Sequence, residues 1–203
     1  MYTPINPILY DVVVCEYCGY SALIKAFNSV TRIQADMIRS EISPNYKHYP
    51  YPSEPTLDEA IGRYKLALMN AMVKNGKDGE RAYICMRINW LYKLKGDAPD
   101  KEKVFADLTL KGLLSAVAKE HFPIAGVGLG ESTAMYLIGA YSFILGDDKT
   151  AIKTLSELIL SSKVSSRLKD MAMNLRDDIN EKKREAKADA AGIDAENEIA
   201  LSD

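Results

Sequence analysis

The sequence predicts an all-α chain, an array of helical hairpins preceded by a short strand and a cysteine knuckle. Apolar residues recur at spacings of three and four through most of the 203 positions. The segments so marked run roughly 14 to 20 residues, the length that stacked helical hairpins use. Gly, Asp or Pro punctuates their boundaries, where helices start and stop.

The elements follow in order. Residues 8–14, ILYDVVV, are β-branched and aromatic, lie between Pro7 and Cys15, and are too few for a helix, so they read as one strand. From Ser21, the positions Leu23, Phe27, Val30, Ile33, Met37 and Ile38 trace an amphipathic helix that ends before Pro44. The stretch PNYKHYPYPSEP, residues 44–55, holds four prolines and predicts an extended linker. Thr56, with Glu59 three positions on, forms a capping box, because each side chain can satisfy a free N–H at a helix start. The helix it opens reaches about Val73, with Leu57, Ala60, Ile61, Tyr64, Leu68 and Ala71 on one face and Asn75-Gly76 as its stop.

A second helix of this series runs from about Gly79 to Lys95 and ends at Gly96; a third runs from about Pro99 to Lys119, before Pro123. After a Gly-rich segment, a fourth covers about Glu131 to Leu145 with Gly146 as its stop. Asp147 or Asp148 caps a fifth, and Ser165 or Ser166 opens a sixth with the stripe Leu168, Met171, Leu175 and Ile179. That stripe fades into a charged tail, residues 186–203, with too little apolar surface to offset the entropy of ordering. The expected organisation is therefore 1–20 strand and knuckle, 21–55 helix and Pro/Tyr-rich linker, 56–185 helical array, and 186–203 disordered tail.

Residues 136–158, YLIGAYSFILGDDKTAIKTLSEL, resemble a tetratricopeptide repeat. Gly139 stands where the first helix of the repeat needs a small residue, Ala151 where the second packs against it, and Leu155 where a large side chain fills the groove. Met135 and Ser142 depart from the aromatic residues usual at their places. A looser copy lies at Ala60, Tyr64 and Ala67, and INWLYKLKGD, residues 88–97, ends in a Gly-Asp turn like that at Gly146-Asp147. The fold class expected is thus a tetratricopeptide-like array rather than an ordinary bundle.

The sharpest chemical feature is Cys15-Glu16-Tyr17-Cys18-Gly19. Two thiolates so spaced on a tight turn can both point at one Zn²⁺, and Gly19 lets backbone N–H groups approach the sulfurs. Cys15 and Cys18 are half a site, since structural zinc takes four ligands. Cys85 reads as a small buried hydrophobe, His48 as a surface residue of the linker, and His121 as a helix-end residue that complements the helix dipole. A rival reading is dithiol redox chemistry, although the parallel strands of a thioredoxin-like fold do not follow.

NPILYDVVVCEYCGYSA, WLYKLKGD, and FPI followed by YLIGAYSFILGD resemble, in that order, an uncharacterised bacterial family known as a domain of unknown function. The resemblance spans about residues 6 to 185. It implies a zinc-ribbon-type N-terminus attached to tetratricopeptide-like helices, and it implies no activity. Members typically carry a further Cys-x-x-Cys upstream that this sequence lacks, so either the chain is a shortened version or the site is lost. Cys15 and Cys18 would then be free thiols, or would join the same pair of a second chain in a Cys₄ site across a homodimer.

Other patterns are better explained structurally. Gly126–Gly130 lacks the preceding strand and following Lys-Ser/Thr of a phosphate loop, and the pairs Asp147-Asp148 and Asp177-Asp178 suit capping and solvation. Two histidines leave little for acid/base work, and no hydrolase or dinucleotide fingerprint is present, so the chain is expected not to be an enzyme. With 26 basic and 28 acidic side chains interspersed, no basic field favours nucleic acid. The longest apolar run, Ala134 to Leu145, falls short of the roughly 20 residues that span a bilayer, and three cysteines suit a reducing compartment, so a cytoplasmic protein is expected. The function expected is a scaffold that binds a peptide or protein partner on a helical-repeat surface; the alternatives are a zinc-ribbon nucleic-acid-binding module with a helical dimerisation platform, and a dithiol redox protein.

Overall fold

The computed structural model describes residues 6–124 and 126–200, with side chains to residue 186. The chain divides into two compact units, Met1–Ala134 and Met135–Asp203. Seven α-helices and one small sheet make up the described residues.

The first unit opens with a 3-10 turn, Pro7–Tyr10, capped by the Asn6 side chain, which accepts from the Ile8 N–H at 3.2 Å. Strand β1 (Val12–Val14) then pairs antiparallel with β2 (Ser21–Leu23), with Val12 opposite Leu23 and Val14 opposite Ser21. The strand expected over 8–14 is thus confined to its last three residues. Its partner is the segment expected to begin a helix. Backbone pairing across the knuckle overrides the local three-and-four spacing there, and all three β2 residues are buried. Helix α1 (Arg32–Glu41) starts only after a 3-10 turn at Phe27–Ser29, behind a capping box formed by Thr31 and Gln34.

The helices that follow begin and end close to where the sequence places them. Thr56 and Glu59 form the capping box of α2 (Leu57–Val73), with the Glu59 carboxylate accepting from the Thr56 N–H at 2.8 Å. Helix α3 (Asp78–Lys95) stops at Gly96, whose φ of 74° is open to glycine at little cost. Helix α4 (Pro99–Lys119) has Pro99 in its first turn. It lies close against α3: a Cβ on Gly112 would stand 2.8 Å from Ala82 Cβ, so small residues on both helices permit the approach. Between α2 and α3, Lys74 Nζ and a Glu80 carboxylate oxygen meet at 2.7 Å, both side chains largely buried.

Three side-chain hydrogen bonds tie α2 to the 3-10 turn and the hairpin, two from α2 and one from β2. Tyr64 donates its hydroxyl to the Ile8 carbonyl at 3.0 Å, Asn70 donates Nδ2–H to the Gly19 carbonyl at 3.0 Å, and Ser21 donates to the Arg63 carbonyl at 3.4 Å. Tyr64 and Asn70 are fully buried. The hairpin is therefore held by polar bonds as well as by the apolar contact of Val12 and Leu23.

The second unit holds most of α5 (Glu131–Ile144), with α6 (Asp148–Leu160) and α7 (Ser166–Ala200). Asp147 caps α6 by accepting from the Thr150 N–H at 3.0 Å. Ala151, Leu155, Leu158, Ala172 and Ile179 form its core, with Met135, Tyr136 and Phe143 packed against them. A Cβ at Gly139 would lie 2.8 Å from the Leu155 side chain, so the small-against-large packing expected from the sequence is present at this crossing. The tail expected over 186–203 falls almost wholly outside the residues whose side chains are described. No helix of the described residues is long and apolar enough to cross a membrane.

Candidate functional site

The knuckle is the turn that joins β1 to β2. The Cys15 N–H donates to the Tyr20 carbonyl at 2.8 Å, and the Gly19 N–H donates to the Cys15 carbonyl at 3.0 Å. Gly19 has φ 72°, and a Cβ there would come within 2.6 Å of the Tyr46 ring, so no other residue fits without moving that ring. Ser43 donates its hydroxyl to the Cys18 carbonyl at 2.9 Å, and Asn70 holds Gly19 from the other side. Linker, hairpin and α2 thus clamp one turn.

Cys15 and Cys18 are half-buried free thiols. Partial burial alone would raise the Cys15 pKa, but the backbone N–H groups of Cys18 and Tyr17 and the Cys18 side chain hydrogen-bond to its sulfur and hold it below the ordinary thiol value. Burial pushes Cys18 up; the Tyr20 N–H opposes this and the neighbouring Cys15 adds to it. Backbone N–H groups of the turn thus favour the thiolate at Cys15, the form in which a cysteine binds metal.

The two histidines and the third cysteine, read from the sequence as non-ligands, are not gathered with the pair into a metal site. Among the described residues, no group of three or more His, Cys, Asp or Glu side chains is arranged to hold a metal. His48 approaches its edge, with Nδ1 3.1 Å from the Glu16 carbonyl and its ring stacked on Tyr17 at 6.0 Å. His121 is exposed just beyond α4, and Cys85 is buried within α3, its pKa pushed by burial to about 12. The Gly-rich segment closes on itself as a tight loop through an Ile124–Leu129 bridge.

A second constellation, absent from the sequence reading, surrounds Arg87 on α3. Its guanidinium lies against two aromatic faces, 4.8 Å from the Tyr83 ring centre and 5.0 Å from that of Trp90, and its Nη2 donates to the Tyr83 hydroxyl. Asp11 is 3.8 Å away, an ion pair without a hydrogen bond. Desolvation outweighs Arg87 and Lys25 and raises the Asp11 pKa. The Arg87 Nε is buried with no hydrogen-bond partner among the described residues. A cavity of about 170 Å³ opens here, walled by Asp11, Lys25, Tyr83, Arg87 and Gly126. The available signal was a charged residue inside an aromatic stripe, since Tyr83, Arg87, Trp90 and Leu94 follow one another at helical spacing.

Residues 1–179 match a bacterial family described as "Uncharacterized protein conserved in bacteria (DUF2225)". No curated protein and no solved structure matches the chain.

Proposed function

Given that the chain belongs to this DUF2225 family of uncharacterized bacterial proteins, we propose from its own surfaces that it is a protein-interaction scaffold, not an enzyme, binding a peptide or protein partner on a tetratricopeptide-like helical surface. The observation that carries this reading is the apolar surface of α3 and α4. Trp90 and Leu94 on α3, and Val104, Leu108 and Leu114 on α4, are exposed, with Leu94 and Val104 showing more than half of their surface. Covering such residues recovers about 25 cal/mol for each Å² of apolar area removed from water. The repeat-like packing adds support: Gly139 sits tightly against Leu155, and Ala60, Tyr64 and Ala67 are all buried. Affinity capture with chemical cross-linking, comparing the native chain with a Val104→Asn/Leu108→Asn variant, tests it. A stoichiometric partner that the variant loses is the expected result. A native chain that captures none, or a partner retained by every surface variant of α3 and α4, would overturn it.

The two half-buried thiols of Cys15 and Cys18, three positions apart on the one closed turn between β1 and β2, favour a second, compatible reading, in which the knuckle is a zinc half-site completed by the knuckle of a second chain. Zinc would there act structurally, fixing two turns against each other. Metal analysis beside light scattering should find about half an equivalent of zinc per chain in a dimer, the ratio that one shared Cys₄ ion requires. A monomer without zinc, with both thiols freely titrating, would sink this reading, and a reversible Cys15–Cys18 disulfide would favour redox chemistry instead.

A further inference from the structure

The Arg87 cavity joins two apolar hollows. It shares Pro7 and Arg87 with a hollow of about 720 Å³ that Trp90, Lys93 and Leu94 help to wall. It shares Pro7 and Asp11 with another of about 710 Å³, walled in part by Tyr10, Ile24 and Glu54. A hole of mixed lining, with Asp11, Lys25 and Arg87 set among Ile8, Leu23 and Val127, thus lies beside apolar ground on both flanks. Across the cavity and the first hollow, the charged side chains are Lys25, Arg87 and Lys93 against Asp11 alone. Asp11 stands too far from Arg87 to hydrogen-bond, so their ion pair leaves the guanidinium without a hydrogen-bonded carboxylate among the described residues. The guanidinium lies 4.8 Å and 5.0 Å from the Tyr83 and Trp90 ring centres, and its planar fork matches a carboxylate with two acceptor oxygens.

We propose that this surface docks an extended segment of a partner protein in which one Asp or Glu carboxylate enters the Arg87 cavity and large apolar side chains flank it on both sides. This rests on the scaffold reading and names the chemistry of the partner. The cavity has room for a carboxylate and its methylenes, and Trp90 with Leu94 offers one flank its anchor. The flank over Tyr10 and Ile24 faces Glu54, so no acidic residue is taken there.

The test is selection of a random heptapeptide phage library on the full chain, followed by titration of synthetic winners. Trp90 is the single tryptophan, so with peptides that carry no tryptophan its selectively excited emission reports on this flank of the cavity. Enriched peptides should carry one Asp or Glu between large apolar residues. Changing that residue to its amide should weaken binding at least tenfold, as should Arg87→Gln. Lys25 is exposed, so Lys25→Gln leaves the fold intact and should weaken binding a few-fold while flattening its salt dependence. Winners without an acidic residue, or winners insensitive to both substitutions, would overturn the proposal. If those winners were lost on Val104→Asn/Leu108→Asn, the scaffold reading would stand while this one fell. No enrichment at all would also overturn it, as would a concentration-dependent dimer abolished by Arg87→Gln, which would assign the surface to a second copy.

Discussion

Gly19 carries the knuckle on one backbone angle. An alanine there takes on the left-handed strain of roughly 1–2 kcal/mol and drives a methyl group into the Tyr46 ring, which adds overpacking of about the same size. Gly19→Ala should therefore lower stability by about 2–4 kcal/mol, read as an earlier denaturant midpoint; an unchanged midpoint would mean that Tyr46 gives way freely. The thiols make a second prediction at this scale. A lowered pKa gives Cys15 more thiolate at any pH below the ordinary thiol value, a raised one gives Cys18 less, and Cys85 at about 12 stays protonated. Mass spectrometry of a timed alkylation at neutral pH should find Cys15 modified first and Cys85 last. Early labelling of Cys85 would contradict its burial. The Cys-x-x-Cys spacing was legible because it is local, and Cys85 was legible because its neighbours Ile84 and Met86 are apolar.

The junction of α2 and α3 turns on a buried ion pair. Lys74 follows the last turn of α2 and Glu80 lies in the first turn of α3, and both side chains are largely out of water. Removing one charge strands the other, so Glu80→Gln should cost about 3–5 kcal/mol in urea unfolding, while a Lys74→Met/Glu80→Met double variant should recover much of it. A loss under about 1 kcal/mol for Glu80→Gln would show that water reaches Lys74 easily. Helix ends were the most legible features, because Thr56–Glu59, Gly96, Asp147 and Gly146 act through contacts three or four residues long. Strand β2 was not legible. Its pairing partner lies seven or more residues upstream across a turn, and the apolar spacing from Leu23 onward fitted a helix equally well. The Thr31–Gln34 capping box marked the true helix start in the same local manner as Thr56–Glu59.

For the molecule as a whole, a formal charge of −2 spread over interleaved acids and bases gives no net positive field to draw phosphates. Gel retardation of DNA or RNA by the intact chain should be absent even at low salt. Retardation that fades steeply with added salt would restore the nucleic-acid reading. The Arg87 cavity was invisible at this scale for a topological reason: it gathers side chains from the 3-10 turn, the end of the hairpin, α3 and the loop at Gly126, which no window on the sequence contains together. The bonds that Tyr64, Asn70 and Ser21 make between α2 and the 3-10 turn and hairpin bear on how such a chain can be cut or recombined. Strands of three residues do not hold register unaided, so a peptide excised around the knuckle would lose its shape. Deleting it would strip Asn70 of one of its two acceptors, and a cut extended to the 3-10 turn would also leave the fully buried Tyr64 hydroxyl without the Ile8 carbonyl. The ribbon is no detachable cassette: moving it into another protein should require moving α2 with it.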